Sequence, residues 1–492
     1  MDAIVSLRPL FAVLVSLLVI PILLSSGKRP NAREGWTLAA GLVKFGLVVS
    51  MLPAVLQGRE FIFTLATPFP NVPIQLHVDP LGMLFALVAS FLWIFTSIYS
   101  IGYMRGLDEH GQTRFYAFFA LALSSTIGVA FSANLFTLYL FYEILSLATY
   151  PLVTHHQDEE ARISGRKYLT YILGTSVGLV LPAMLFCYYL AGTLDFTVGG
   201  ILAGQASTPV LVTLFFLFLF GFAKAGIMPL HSWLPAAMVA PTPVSALLHA
   251  VAVVKVGVFS IVRVSTGIFG VDLLSSLSLG PAVAAVASVT ILVGSMIALS
   301  QDELKRRLAF STISQLSYIV LGIALLSPKG MLGGIVHIAM HAFGKITLFM
   351  SAGTIYTGTK KTEISQLDGL GRYMPVTFIA FAIGALSIIG LPPFGGVWSK
   401  LFLMQGAVDG GQPWLMAALI GSTILNIGYL LPIVFRAFFK KGPDTSPMKP
   451  GLPPVLAVAA PVVTAAGTVV LFLAIGPIVD YLEPVFTTEM RP

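Results

Sequence analysis

The chain is short of thiols and short of charge. Its 492 residues include one cysteine, Cys187, which excludes an internal disulfide framework, a thiolate zinc site and an iron–sulfur cluster. Only 10% of the residues are charged and 57% are hydrophobic, against about 25% charged in a soluble protein. With a mean hydropathy of +0.91, the chain reads as an all-α polytopic membrane protein. Acid is scarcest inside the apolar segments: of 21 aspartates and glutamates, only Glu143 falls well within one. There is no metal-ligand cluster, no nucleotide motif in the right context and no quinone signature. No cofactor, no metal and no catalysis by this chain alone are expected.

At about 20 apolar residues per crossing, fourteen transmembrane helices are predicted. Their approximate limits are 4–24, 36–56, 80–102, 115–131, 133–154, 168–192, 209–239, 244–266, 275–300, 308–327, 331–357, 375–408, 414–438 and 453–479. The first has neither a basic n-region nor a small-residue cleavage site, so it reads as a span rather than a signal peptide. The connection 57–79 reads as a Pro-rich loop without recognisable chemistry, and Asp79-Pro80 as the cap and first turn of the third span. The final span holds no ionisable residue and reads as peripheral packing.

Loop charge sets orientation. Eighteen lysines and arginines fall in odd-numbered loops and five in even loops or the termini, including Arg8, Arg59, Arg263 and Lys329. The positive-inside rule then puts odd loops in the cytoplasm and both ends outside the plasma membrane. This loop bias, rather than a nucleic-acid surface, accounts for the net charge of +7.

The remaining five basic residues, Lys44, Lys224, Lys255, Lys345 and Lys400, lie inside predicted spans. A lysine near the bilayer centre costs roughly 2.5–3.5 kcal/mol on insertion scales, so repeated intramembrane charge points to an ion path. Four of the five sit with other polar residues. In GFAKAGIMPLHSWLPAAMVAPTPVSALLHAVAVVKVGVFS, Lys224, His231, His249 and Lys255 accompany Pro229, Pro235, Pro241 and Pro243. Proline frees backbone carbonyls, which membrane proteins tolerate against protein or a wet cavity. His249 and Lys255 are six residues apart, about 120° around a regular helix, and water could bridge them. His337, His341 and Lys345 are spaced by four and drift only about 40° per step, forming one polar stripe. A haem between His337 and His341 is disfavoured, because two histidines on one side of a helix cannot grip opposite faces of a ring. LPPFGGVWSK repeats the design of the earlier break, with Lys400 beside it. Ser311, Thr312, Ser314, Gln315 and Ser317 read equally well as a wet track or as helix packing. Lys44 could snorkel or pair locally. Glu143, the lone carboxylate, reads as functional by default, with a structural ion pair as the bland alternative.

These motifs match a known family. FYEILSLATYPL, KAGIMPLHSWLPAAMVAPTPVSALLHA, KRRLAFSTISQLSYI, HIAMHAFGKITLFMSAG and LPPFGGVWSK resemble the antiporter-like subunits shared by Mrp-type cation/proton antiporters, respiratory complex I and membrane-bound hydrogenases. Length and span number look most like the Mrp D subunit, whereas HSWLPAAMVAPTPVSA resembles the largest Mrp and complex I subunits. The resemblance implies two inverted five-helix repeats with broken seventh and twelfth helices. The corresponding domains are scaffold helices in 1–114, repeats in 115–266 and 267–440, and a last helix in 441–492. It implies an acid–lysine pair of Glu143 and Lys224, a central Lys255, a connecting group of His337, His341 and Lys345, and Lys400 on the exit side. No redox cofactor is implied.

The expected function is proton translocation in a multi-subunit Na⁺ or K⁺/proton antiporter, through a relay that includes His231 and His249. The alternative is a proton-pumping subunit of an NADH:quinone oxidoreductase or membrane-bound hydrogenase. Other membrane subunits, protons, Na⁺ or K⁺ and lipid are the expected partners, and nucleic acid is not. A stand-alone solute transporter and a non-conducting scaffold are the rivals from other classes.

Overall fold

A computed structural model describes residues 3–441 and 453–488; Lys449 and Arg491 of the charge tally lie outside them. Local signals start many of the helices. Helix α1 is Arg8–Ser25, and α2, Pro30–Leu56, opens on a proline. In α3, Pro80–Gly106, the Asp79 side chain accepts a hydrogen bond from Gly82 N, as expected of that dipeptide. α4 is Gln112–Ala130. Asn134 caps α5, Leu135–Val153. Asp158 caps α6, Glu159–Ala191, which opens on two glutamates that suit its positive end.

α7, Thr208–Gly221, stops short of a full crossing. Irregular chain with short turns at Ala223–Ala225 and Trp233–Val239 follows, and α8, Thr242–Phe269, begins after it. α9 is Leu279–Ser300, α10 Leu304–Ala324 and α11 Pro328–Thr359. A second interrupted crossing consists of α12, Pro375–Ile389, and α13, Gly396–Asp409. Gly390 ends α12 at φ 88°, a left-handed conformation that a β-carbon disfavours. α14, Leu415–Phe439, completes this part of the chain. Twelve of the described helices are long and apolar enough to cross a membrane. With the two interrupted crossings they account for the fourteen expected spans.

Two expectations need correction. Segment 57–79 is not a plain loop: β1 (Ala3–Val5), β2 (Glu60–Phe69) and β3 (Val72–Val78) form a sheet in the order β1-β2-β3. β1 runs parallel to β2 and β3 antiparallel to it. Prolines at 68, 70 and 73 hide the strand pattern, but they fall at the turn end of the hairpin, where Asn71 takes φ 56°. Likewise 453–479 is not one helix. α15, Val455–Leu473, is followed by a separate α16, Ile475–Thr488. α15 lies at the periphery yet is fastened to the centre, since Thr347 donates to Thr464 Oγ1 and Thr354 to Ala457 O, both at 2.7 Å.

The most deeply placed helices carry most of the candidate relay. The central stretches of α8 and α11 are wholly buried, whereas about two thirds of the same stretch in α1, α2, α6 and α15 faces outward. α8 and α11, with Lys255, His337, His341 and Lys345, fill the middle.

Candidate functional site

Lys224 sits in the first turn of the break after α7 and is fully buried. Its Nζ donates to Tyr142 O at 2.5 Å and Ser146 Oγ at 2.7 Å, and lies 3.2 Å from the centre of the Tyr142 ring. Tyr142 and Ser146 stand four apart on one face of α5, and Glu143 is rotated about 100° from Tyr142. The expected acid–lysine pair therefore does not form a direct ion pair. Lys224 binds the backbone and hydroxyl that flank Glu143. The two Glu143 oxygens are buried, with the Lys224 ammonium and the Ser176 hydroxyl the groups that act on them. The Trp233 indole closes the break, donating to Ala223 O at 2.9 Å.

α8 passes directly behind this break. A β-carbon on Gly257 would lie 2.1 Å from Ala225 N and 2.4 Å from the carbonyl carbon of Lys224, so only glycine permits the approach. Two residues earlier, Lys255 Nζ is hydrogen-bonded to His341 Nδ1 on α11. Either an ammonium donates to a bare ring nitrogen, or the imidazole N–H donates to a neutral amine; one proton serves both groups. The His341 ring lies 5.5 Å from that of His337. His337 Nδ1 is 2.8 Å from Ser399 Oγ, and its ring stacks on Tyr318 at 5.3 Å. Lys400 Nζ stands 5.4 Å from the Tyr318 ring and donates to Ile389 O, a carbonyl freed at the second break, at 2.7 Å and to Thr423 Oγ1 at 3.0 Å. Lys255, His341, His337, Ser399 and Lys400 thus form one buried file across three helices. None of these three helices places an acid beside the file among the described ion pairs.

Other candidate residues lie off this line. Lys345 donates to Leu308 O at 3.2 Å, a side branch one turn from His341. His249 is buried against Trp233, with ring centres 6.1 Å apart and neither nitrogen hydrogen-bonded. His231 is half-buried and contacts the break's own Pro229 O at 3.2 Å; the structure does not bring it into the file. Lys44 does not snorkel. It is fully buried, 3.4 Å from Leu123 O and 5.6 Å from the centre of the Trp93 ring, apart from the other lysines. The hydroxyl face of α10 is partly tied up in helix packing, through Ser311 to Tyr429 and Ser314 to Ser295. Sequence reasoning missed Ser399, Tyr318, Thr423, Tyr142 and Ser146. Adjacency to Lys400 in VWSKLF and to Glu143 in FYEILS was the available signal.

Residues 132–426 match the family model described as "NADH:quinone oxidoreductase/Mrp antiporter, TM". The chain belongs to this family. Residues 67–116 also match a model for the N-terminus of complex I chain 5. This family member is 33% identical to NADH-quinone oxidoreductase subunit L of Mycobacterium tuberculosis, over 94% of this chain and 75% of that one. It is 31% identical to subunit N of Desulforudis audaxviator, covering 89% of each. It is 33% identical to the chloroplastic subunit 5 of Chaetosphaeridium globosum, but spans only 57% of that relative's length. The fold is shared with a chain of the Mrp complex from Dietzia sp., at TM-score 0.86, 24% identity and coverage of 99% and 97%. It is also shared with a chain of an archaeal membrane-bound sulfane sulfur reductase, at TM-score 0.88, 24% identity and coverage of 99% and 98%. The expected antiporter-like family is therefore the right one, and the chain is a multi-pass integral membrane protein.

Proposed function

We propose that this chain conducts protons along Lys224, Lys255, His341, His337 and Lys400 as one membrane subunit of a multi-subunit Na⁺ or K⁺/proton antiporter. The observation that carries the reading is the Lys255–His341 hydrogen bond, buried and continued by His337 towards Lys400. A desolvated ammonium yields its proton more readily than a hydrated one, and each imidazole can take a proton on one nitrogen and release it from the other. Lys224 hands protons to the file when Glu143 moves relative to it, with transient water bridging the remaining gaps. His231 and His249 serve the first break, and Lys345 tunes the field around His341. The parts are a scaffold in 1–114, repeats in 115–266 and 267–440, and an accessory end in 441–492. Odd loops face the cytoplasm of a plasma membrane.

The test is proton flux in vesicles carrying the assembled complex. Lys255→Ala should reduce it by about 10²-fold or more, as for loss of a proton-transfer group, with assembly intact. Near-normal flux sinks the proposal. A second reading, a redox-driven proton pump, is favoured by the match to subunits L and 5 of quinone oxidoreductases. Flux driven by a Na⁺ or K⁺ gradient supports the antiporter, and flux that requires quinone reduction supports the pump.

A further inference from the structure

The largely apolar cavity on the sheet face of the molecule has no part in the proton file. It measures about 580 Å³ and lies between the β-sheet, the start of α3, the end of α8 and α16. Leu56, Leu81, Phe196, Val198 and Val485 give it apolar walls. Its polar groups fall into two sets. Some are already satisfied: Arg263 grips Asp79 through two hydrogen bonds of 2.5 and 2.6 Å, His77 meets Glu60 at 2.8 Å, and Tyr481 donates to Pro80 O at 3.1 Å. Others are not. Arg59 and Asp480, both exposed, line the same cavity and form no ion pair among the described residues. One cation and one anion therefore flank an apolar hollow at the end of the membrane helices.

We propose that this cavity binds a zwitterionic aminophospholipid. Its phosphate sits at Arg59, its ammonium at Asp480, and its acyl chains run along the apolar walls. The charges select the headgroup: phosphatidylglycerol lacks the ammonium for Asp480, and a choline headgroup carries no N–H to donate to it. The walls select a lipid over a free phosphate.

The test is native mass spectrometry of the purified full chain in detergent, titrated with phosphatidylethanolamine, phosphatidylcholine and phosphatidylglycerol of identical acyl chains. Phosphatidylethanolamine should bind at least about tenfold tighter than the other two, a difference the one charge-assisted contact they lack, ammonium to Asp480, can supply. Arg59→Gln with Asp480→Asn should erase that preference; both positions are exposed, so the variant keeps its fold. Equal binding of the three lipids, or a preference that survives in the double variant, overturns the proposal. So does phosphoethanolamine without acyl chains binding as tightly as the lipid.

Discussion

Buried lysines were legible one at a time, because each ionisable residue inside a span is conspicuous against its cost. Which oxygen each one contacts was not. Lys224 lies against Tyr142 and Ser146 rather than making an ion pair with Glu143, a choice set by helical phase at a break that no fixed period describes. The π-helical turn Leu248–Ala252 likewise shifts His249 relative to Lys255, so an angle taken from a regular helix misplaces them. At the end of α5, just outside the span, residues given no role form a cluster. His155 and His156 flank Glu109, 3.8 and 3.4 Å from its carboxylate, beside His110, Arg114, Asp158 and Lys305. Burial holds the His155 imidazole down at about 4, below its ordinary 6.5. Its hydrogen bond to Glu109 raises His156. Glu109 is itself lowered, since the histidines outweigh its burial. The signs follow from linkage. Stability from His156 is present on the acid side and fades as pH rises through its raised value. His155 acts oppositely: below its ordinary 6.5 the unfolded chain takes up a proton that the folded chain refuses until about 4. Melting temperature should therefore fall between pH 6.5 and 4 in the wild type, and His155→Gln should flatten that slope; an unchanged slope means the ring titrates freely in the fold.

At the scale of elements, the two breaks were readable from Pro and Gly beside lysine, and the polar stripe of α11 from its spacing of four. The sheet was not, because proline masks a hairpin whose strands otherwise alternate. Neither was the contact between α8 and the first break, since a lone glycine in an apolar run carries no distance information. That contact makes a specific prediction. Gly257→Ala puts a methyl group into the backbone of Lys224 and Ala225, and overpacking of this kind costs about 1–3 kcal/mol. The variant should melt at lower temperature and lose proton flux together, because Lys224 and Lys255 are held in register by the same approach. Gly46→Ala is the control, since its added carbon meets nothing within 4 Å. Equal behaviour of the two variants in both assays would show that the approach is soft.

At the scale of the molecule, scarcity of cysteine becomes a tool. The charge bias between odd and even loops is read from sequence alone, and fourteen crossings make it consistent: one crossing more or fewer would mix the two sets. The sheet, α16 and the cavity beneath them all lie at the face bearing even loops, so orientation decides which leaflet supplies the lipid. Cys187 is buried and packs in an apolar helix, where Cys187→Ser should leave a silent background for thiol labelling. In that background, Lys361→Cys reports an odd loop and Lys329→Cys an even one; both are surface positions, Lys329 carrying only an exposed pair with Asp409 at 3.3 Å, a contact worth about 1 kcal/mol at most. A membrane-impermeant maleimide applied to intact cells should label Lys329→Cys, and should reach Lys361→Cys only after the cells are opened. The reverse pattern would turn the molecule over and put the phospholipid site in the cytoplasmic leaflet. The relay would keep its residues, but protons would enter from the opposite side.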